Sequence, residues 1–154
     1  EWFQLQWPPT WADVNIAVEE LVPVVVSAAV WGAKWSGCRV LFRSDNQAVV
    51  DCLSSLKASE ARLAHLLRCL FFFEAQFEHH ARHISGRLNI AADALSRNRL
   101  TEFFSVLPQA PPQVPQRVPD ALTELLWDQE TNWTSVRWKD LFSSILQTES
   151  QKRQ

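Results

Sequence analysis

The chain has 154 residues, 47% of them apolar, with 15 lysines and arginines against 17 aspartates and glutamates. That length allows one domain, or one small domain with an appendage, and that apolar share supports a real core over the first hundred residues. The near-neutral balance excludes a strongly basic nucleic-acid binder, so any such contact has to come from local placement of groups such as Arg82, Arg87, Arg97 and Arg99.

Cys38, Cys52 and Cys69 are odd in number and lack metal-like spacing, which predicts buried thiols in a reducing, intracellular setting and no disulfide frame. No signal-peptide pattern opens the chain. Val22 to Val30 is very apolar but too short to span a bilayer, so membrane insertion is not expected. The chain opens directly on a strand-like run and contains no methionine, which suggests a piece of a longer open reading frame.

Trp2-Phe-Gln-Leu-Gln-Trp7 alternates partly, as an edge or hairpin strand does, and Pro8-Pro9 ends it. Asn15 is placed to cap a helix from Ile16 to about Ala33, with Glu19 and Glu20 in its early turns. That helix is apolar on nearly every side, so it should be buried centrally, and Pro23 should bend it. Gly37 turns into a strand at Arg39 to Ser44. Asn46 to Leu53 and Ala61 to Phe77 read as helices, the second with Leu63, Leu66, Leu67, Leu70, Phe73 and Phe77 at helical spacing. Glu78 to Ile84 returns as a strand. Gly86 turns, and Asn89 can cap a helix from Ile90 to Arg97. This alternation predicts an α/β domain with a mixed sheet and flanking helices over residues 1–100. Residues 101–119 carry a proline-dense stretch from Pro108 to Pro119 that reads as an extended, poorly packed linker. Residues 120–154 read as a helical tail with segments at Pro119 to Trp127 and Ser135 to Leu146, expected to make few contacts with the first hundred residues.

The most informative stretch is His83-Ile-Ser-Gly-Arg-Leu-Asn-Ile-Ala-Ala-Asp93-Ala-Leu-Ser-Arg97, with Arg39-Val-Leu-Phe-Arg-Ser-Asp45-Asn46 upstream. Asp45 falls at the C-terminal end of a strand and before a helix, where α/β folds place ligands, although a Ser-Asp-Asn sequence also serves as a plain helix cap. Asp93 lies in a short helix after two alanines that leave room for close approach. His83 precedes it by ten residues, in a region that also holds His79 and His80. Asn89 is explained equally well as a cap or as part of a site. Glu19 and Glu20 are adjacent, and only one of two successive helix residues, about 100° apart, can face a given point.

A strand-end aspartate, a distant helical aspartate and a histidine ten residues before it resemble the metal-site layout of ribonuclease H. The words Asn15-Ile-Ala-Val-Glu-Glu20-Leu-Val-Pro-Val, Ser44-Asp-Asn, His65-Leu-Leu-Arg-Cys-Leu-Phe-Phe-Phe-Glu-Ala75 and Ala92-Asp-Ala-Leu-Ser-Arg-Asn98 are similar to the ribonuclease H region of DIRS-type retrotransposon polyproteins. The resemblance is carried by residues 1 to 100. It implies a ribonuclease H-like fold and an endonuclease that cuts the RNA strand of RNA/DNA hybrids with Mg²⁺ or Mn²⁺. Glu20, Asp45 and Asp93 would be metal ligands converging on one face, and His83 a proton-transfer group. Position within the family pattern selects Glu20 over Glu19. Reverse transcriptase upstream and a tyrosine recombinase downstream are the implied neighbours, and Asn132-Trp-Thr-Ser-Val-Arg-Trp138 resembles the entry to the recombinase. The family's first-strand aspartate has no counterpart: Asp13 is the only acid between Glu1 and Glu19, and its context is unlike that strand. The resemblance therefore implies a domain missing its first strands. Without that aspartate the chain by itself is expected to cleave very weakly or not at all, and a catalytically inactive remnant or interaction module lacking it is the alternative function.

Overall fold

A computed structural model describes residues 1–73, 77–108, 114–127, and 140, 143 and 144. Helix α1 (Ile16–Trp31) starts where the Asn15 side chain accepts the Ala17 N–H at 2.9 Å, and a 3₁₀ turn over Gly32–Trp35 continues it. Strand β1 (Arg39–Ser44) leads into helix α2 (Gln47–Ser55), and helix α3 (Ala61–Phe73) follows. Strand β2 (Glu78–His83) then pairs with β1 in parallel, Arg39 opposite Glu78 and Ser44 opposite His83. Parallel pairing requires a crossover, and α2 and α3 supply it. Helices α4 (Ile90–Ser96), α5 (Leu100–Val106) and α6 (Asp120–Trp127) complete the described elements. The protein is thus a mixed α/β structure with a small two-stranded parallel sheet among the described residues.

The core is built on α1. Val18, Leu21, Val22, Val25 and Val26 are fully buried, and α1 packs against α3 through Leu63, Leu66, Leu67, Leu70 and Phe73. By length and hydropathy the run Ile16–Trp35 would pass for a membrane span, but here it is the core helix and is apolar for that reason. Pro23 sits inside α1, and its ring nitrogen cannot donate to the Glu19 carbonyl. Such a residue costs about 3 kcal/mol in an isolated helix, less than the burial of several valines and leucines at about 1.5–3 kcal/mol each, so the helix stays continuous.

Both strands alternate in burial. Val40, Phe42, Ser44, His79 and Ala81 turn toward the core, where Trp35 meets Phe42 and Phe77 edge-on. Arg39, Leu41, Arg43, Glu78, His80 and Arg82 point to solvent on the opposite face. His79 reaches back to the Leu53 carbonyl at 3.0 Å, tying β2 to α2.

Several expectations are corrected. Trp2 to Trp7 forms no strand: its aromatic rings find partners instead, Trp2 on Phe103 and Phe104, Phe3 on Trp31, and Trp7 stacked on Trp11. Cys38 is exposed, so only Cys69 of the three free thiols is fully buried. Residues 100–106 form α5 and not linker. Asn98, with φ 56°, ends α4 in a left-handed turn, and its N–H meets the Leu95 carbonyl while the Arg99 N–H reaches Ala94. Asparagine tolerates that conformation and reverses the chain so that α5 packs on α4. The largest correction concerns the tail. Leu122 and Leu126 of α6 are completely buried in the main core, and Trp127 meets Trp7 and Trp11 at ring distances of 5.2 and 4.9 Å. Val118 packs on the same core, and the Gln116 N–H donates to the Trp2 carbonyl at 2.7 Å. The expected helix at Ser135 to Leu146 and the Asn132 to Trp138 segment lie outside the described residues, apart from residues 140, 143 and 144.

His65 is buried on α3 with its Nε2 3.4 Å from Cys69 Sγ one turn later. Burial, helped by Arg68, pushes the imidazole down to about 4, and burial pushes the Cys69 thiol up to about 12. Both groups are neutral and the thiol is unreactive near pH 7.

Two measurements check this core. Leu126→Ala should cost about 2–5 kcal/mol in urea unfolding, the range for a buried leucine; a loss under about 1 kcal/mol would mean that α6 is not part of the core. The unfolded chain protonates His65 near its ordinary 6.5 while the folded chain resists to about 4, so stability should fall as pH drops through that interval. His65→Leu should flatten that slope, and an unchanged slope would place the titration elsewhere.

Candidate functional site

The junction Ser44-Asp45-Asn46 connects β1 to α2 and divides its duties among three side chains. Asn46 is the helix cap: its side chain accepts the Ala48 N–H at 2.9 Å. Ser44 Oγ accepts the Asn46 N–H at 3.0 Å and lies 3.2 Å from Glu20 Oε2, to which it donates. Asp45 is therefore released from capping and stands exposed at the end of the strand. The first turns of α1 lie beside this strand end, and Glu20, the member of the Glu19–Glu20 pair that bonds Ser44, is brought next to Asp45.

Glu20 is half-buried, and burial raises its carboxyl above the ordinary range. The Ser44 hydrogen bond works against that rise, and the negative charge of Asp45 adds to it. Two carboxylates held this way repel one another, and a cation between them relieves both.

His83 ends β2 directly opposite Ser44, and the Ile84 N–H donates to the Ser44 carbonyl at 3.0 Å. The His83 backbone thus lies one strand spacing, about 4.8 Å, from the Ser44 backbone, and its side chain is exposed. His79 turns inward, and His80 lies 3.3 Å from Glu78, so of the three strand histidines His83 is the one in register with Ser44.

Asn89 makes no side-chain cap hydrogen bond to α4. Its Nδ2 instead donates to Asp45 Oδ1 at 3.0 Å. Gly86 comes close on the other side: a β-carbon there would lie 3.3 Å from Asp45 Oδ2, tighter than most side-chain contacts. The turn after β2 thus closes over Asp45. Asp93 follows Asn89 by one helical turn, about 5.4 Å of rise. Its carboxylate is occupied. Arg97 Nε donates to Oδ1 at 2.7 Å, and Arg99 donates to Oδ2 while also holding Glu102 at 2.8 Å. The Arg97 hydrogen bond, with the charges of both arginines, holds the Asp93 carboxyl below its ordinary value.

Glu20, Asp45 and His83 are therefore brought to one end of the sheet, with Asp93 one turn away. Among the described residues, no group of three or more histidine, cysteine, aspartate or glutamate side chains is gathered closely enough to hold a metal ion. The expected convergence of Glu20, Asp45 and Asp93 on one face is not made among the described residues, and Asp93 is engaged by two arginines instead. The roles that sequence reasoning missed are the Ser44 bridge and the Asn89 clamp. Asn46, standing beside Asp45, was the available signal that capping did not need the aspartate.

Comparisons with protein-family models, with curated proteins and with solved structures return no match to this chain.

If Asp45 and Glu20 are neighbours, Asp45→Asn should bring the Glu20 pKa down toward the ordinary carboxylate range, read by carboxyl-carbon NMR titration. With its folded pKa raised, Glu20 contributes most stability when protonated and loses it as pH rises through that pKa, so the substitution should also weaken this slope. A Glu20 titration indifferent to Asp45→Asn would remove the pair.

Proposed function

We propose that the chain is a ribonuclease H-like domain of a DIRS-type retrotransposon polyprotein, acting on the RNA strand of RNA/DNA hybrids. The observation that carries this reading is the placement of Glu20 and Asp45 together at the C-terminal end of β1, with His83 in register beside them. A carboxylate pair at a strand end binds hard cations such as Mg²⁺ or Mn²⁺, and a bound divalent ion supplies Lewis acidity and an activated water for phosphodiester hydrolysis.

The chain's own residues then have distinct duties. Ser44 fixes one Glu20 oxygen. Asn89 fixes Asp45 Oδ1 in the same way. His83, exposed at the rim, is placed to move a proton to or from solvent. Asp93 would join the site when Arg97 and Arg99 turn to an anionic ligand such as a phosphate, which competes for the same guanidinium donors. A hybrid would be recognised by groove shape and 2′-hydroxyls, not by base sequence. Reverse transcriptase before this domain and a recombinase after it are the partners that the resemblance implies.

A second reading is a catalytically inactive interaction module. It is favoured by the engagement of both Asp93 oxygens with arginine.

Incubating the chain with a hybrid labelled in the RNA strand, in Mg²⁺ or Mn²⁺, tests the two. The nuclease reading expects weak RNA-strand cleavage that drops at least about a hundredfold on Asp45→Asn, the scale for losing a group that stabilises the transition state. Cleavage indifferent to Asp45→Asn would overturn it, and hybrid binding with no cleavage in either metal would leave the module.

A further inference from the structure

We infer that the open face of the sheet is a contact surface for the phosphate backbone of a nucleic acid, centred on Arg43 and Arg82. Parallel sheets are ordinarily covered on both faces. Here β1 and β2 bury one face on the core, and six residues stand outward on the other: Arg39, Leu41, Arg43, Glu78, His80 and Arg82. Glu78 is the only acid among the six. It is already engaged, 3.0 Å from Arg39 Nε and 3.3 Å from His80. Arg43 and Arg82 are left opposite one another in the strand register, both exposed, and no carboxylate of the described residues pairs with either. Like charges directly opposite across a strand pair are destabilising. In a chain with net charge −2, a doubled, uncompensated cation is a local departure from the whole, and it is complementary to a polyanion.

Position selects the polyanion. Arg43 and Arg82 immediately precede Ser44 and His83, so the cationic face begins one residue behind the carboxylate junction. A strand of nucleic acid with a phosphodiester at Asp45 would lay neighbouring phosphates along this face. Two guanidinium forks then meet phosphate oxygens bidentately, and Leu41, 46% exposed between them and Arg39, offers apolar surface to the sugars. These arginines are positioning residues. They do not touch the bond that breaks.

The proposal rests on the reading of the substrate as a nucleic acid, and the test separates the two. Binding of a short fluorescent RNA/DNA hybrid to the full chain is followed by anisotropy in EDTA, so that no cleavage occurs, across a series of salt concentrations. Arg43→Gln with Arg82→Gln should weaken binding at least about tenfold at low salt. It should also flatten the plot of log affinity against log salt by about 2, because each lost phosphate contact removes roughly 0.9. Arg43→Lys with Arg82→Lys should keep most of that slope. Neither pair should lower the melting temperature, since both sites are exposed and one repulsion is relieved. Equal affinity and slope for the wild type and the glutamine pair would overturn the proposal, whatever Asp45→Asn does to cleavage. Competition by polyglutamate as effective as that by unlabelled hybrid at equal charge would also overturn it, in favour of an acidic protein partner. Loss of binding with the glutamine pair, in a chain whose cleavage ignores Asp45→Asn, would leave the surface standing and sink the nuclease reading alone.

Discussion

Burial of α1 on all sides is the constraint on which the rest depends. Two strands make too little sheet to enclose a core, so the core is a helix surrounded by other elements: α3, α2, the inner face of the strands and α6. Val18, Leu21, Val22, Val25 and Val26 form one fully buried stripe of α1, and Ala17, Ser27, Ala28 and Ala29 extend the burial around it. This tolerates Pro23, because packing on every side holds the helix where one backbone hydrogen bond is lost. It also fixes the height at which the first turns of α1 meet β1, and so it sets Glu20 beside Ser44 and Asp45.

The site follows from how few donors serve how many acceptors there. Ser44 bridges the strand end to Glu20, Asn46 takes the capping duty, and Asn89 arrives from another element to hold Asp45. What remains is negative charge with limited protein compensation, beside a histidine at the rim. Asp93 differs because Arg97 and Arg99 lie within hydrogen-bond reach on its own helix and the turn after it. The strand-end carboxylates are thus followed, one residue back on the open face of the sheet, by two outward arginines of opposite charge.

Much of the architecture was legible in local pattern. Asn15 as a cap, β1 at Arg39 to Ser44 and the start of α3 at Ala61 follow from short-range rules of capping and periodicity, whereas α4 starts at Ile90 as expected although Asn89 does not cap it. The N-terminal strand did not form, because alternation in Trp2 to Trp7 is satisfied as well by aromatic contacts with α5 and the end of α1 as by a ladder. Helix α5 was hidden in what looked like linker, its only marker Asn98, whose left-handed turn could equally have ended the domain. Glu20, Asp45 and His83 were visible as residues, but their meeting depends on parallel register and on the depth of α1.

By itself the sequence determined where α1, β1, α3, β2 and α4 start and which helix is central, since these are matters of neighbours a few residues apart. Tertiary structure decided the rest. It docked α6 through Leu122, Leu126 and Trp127, because an apolar helix face beyond a proline stretch carries no address for the surface it will bury. It set Arg43 against Arg82 and Asn89 on Asp45 across gaps of 39 and 44 residues. It also gave Asp93 to arginines, because charge pairing is settled by distance in space, and only the packed chain defines that distance.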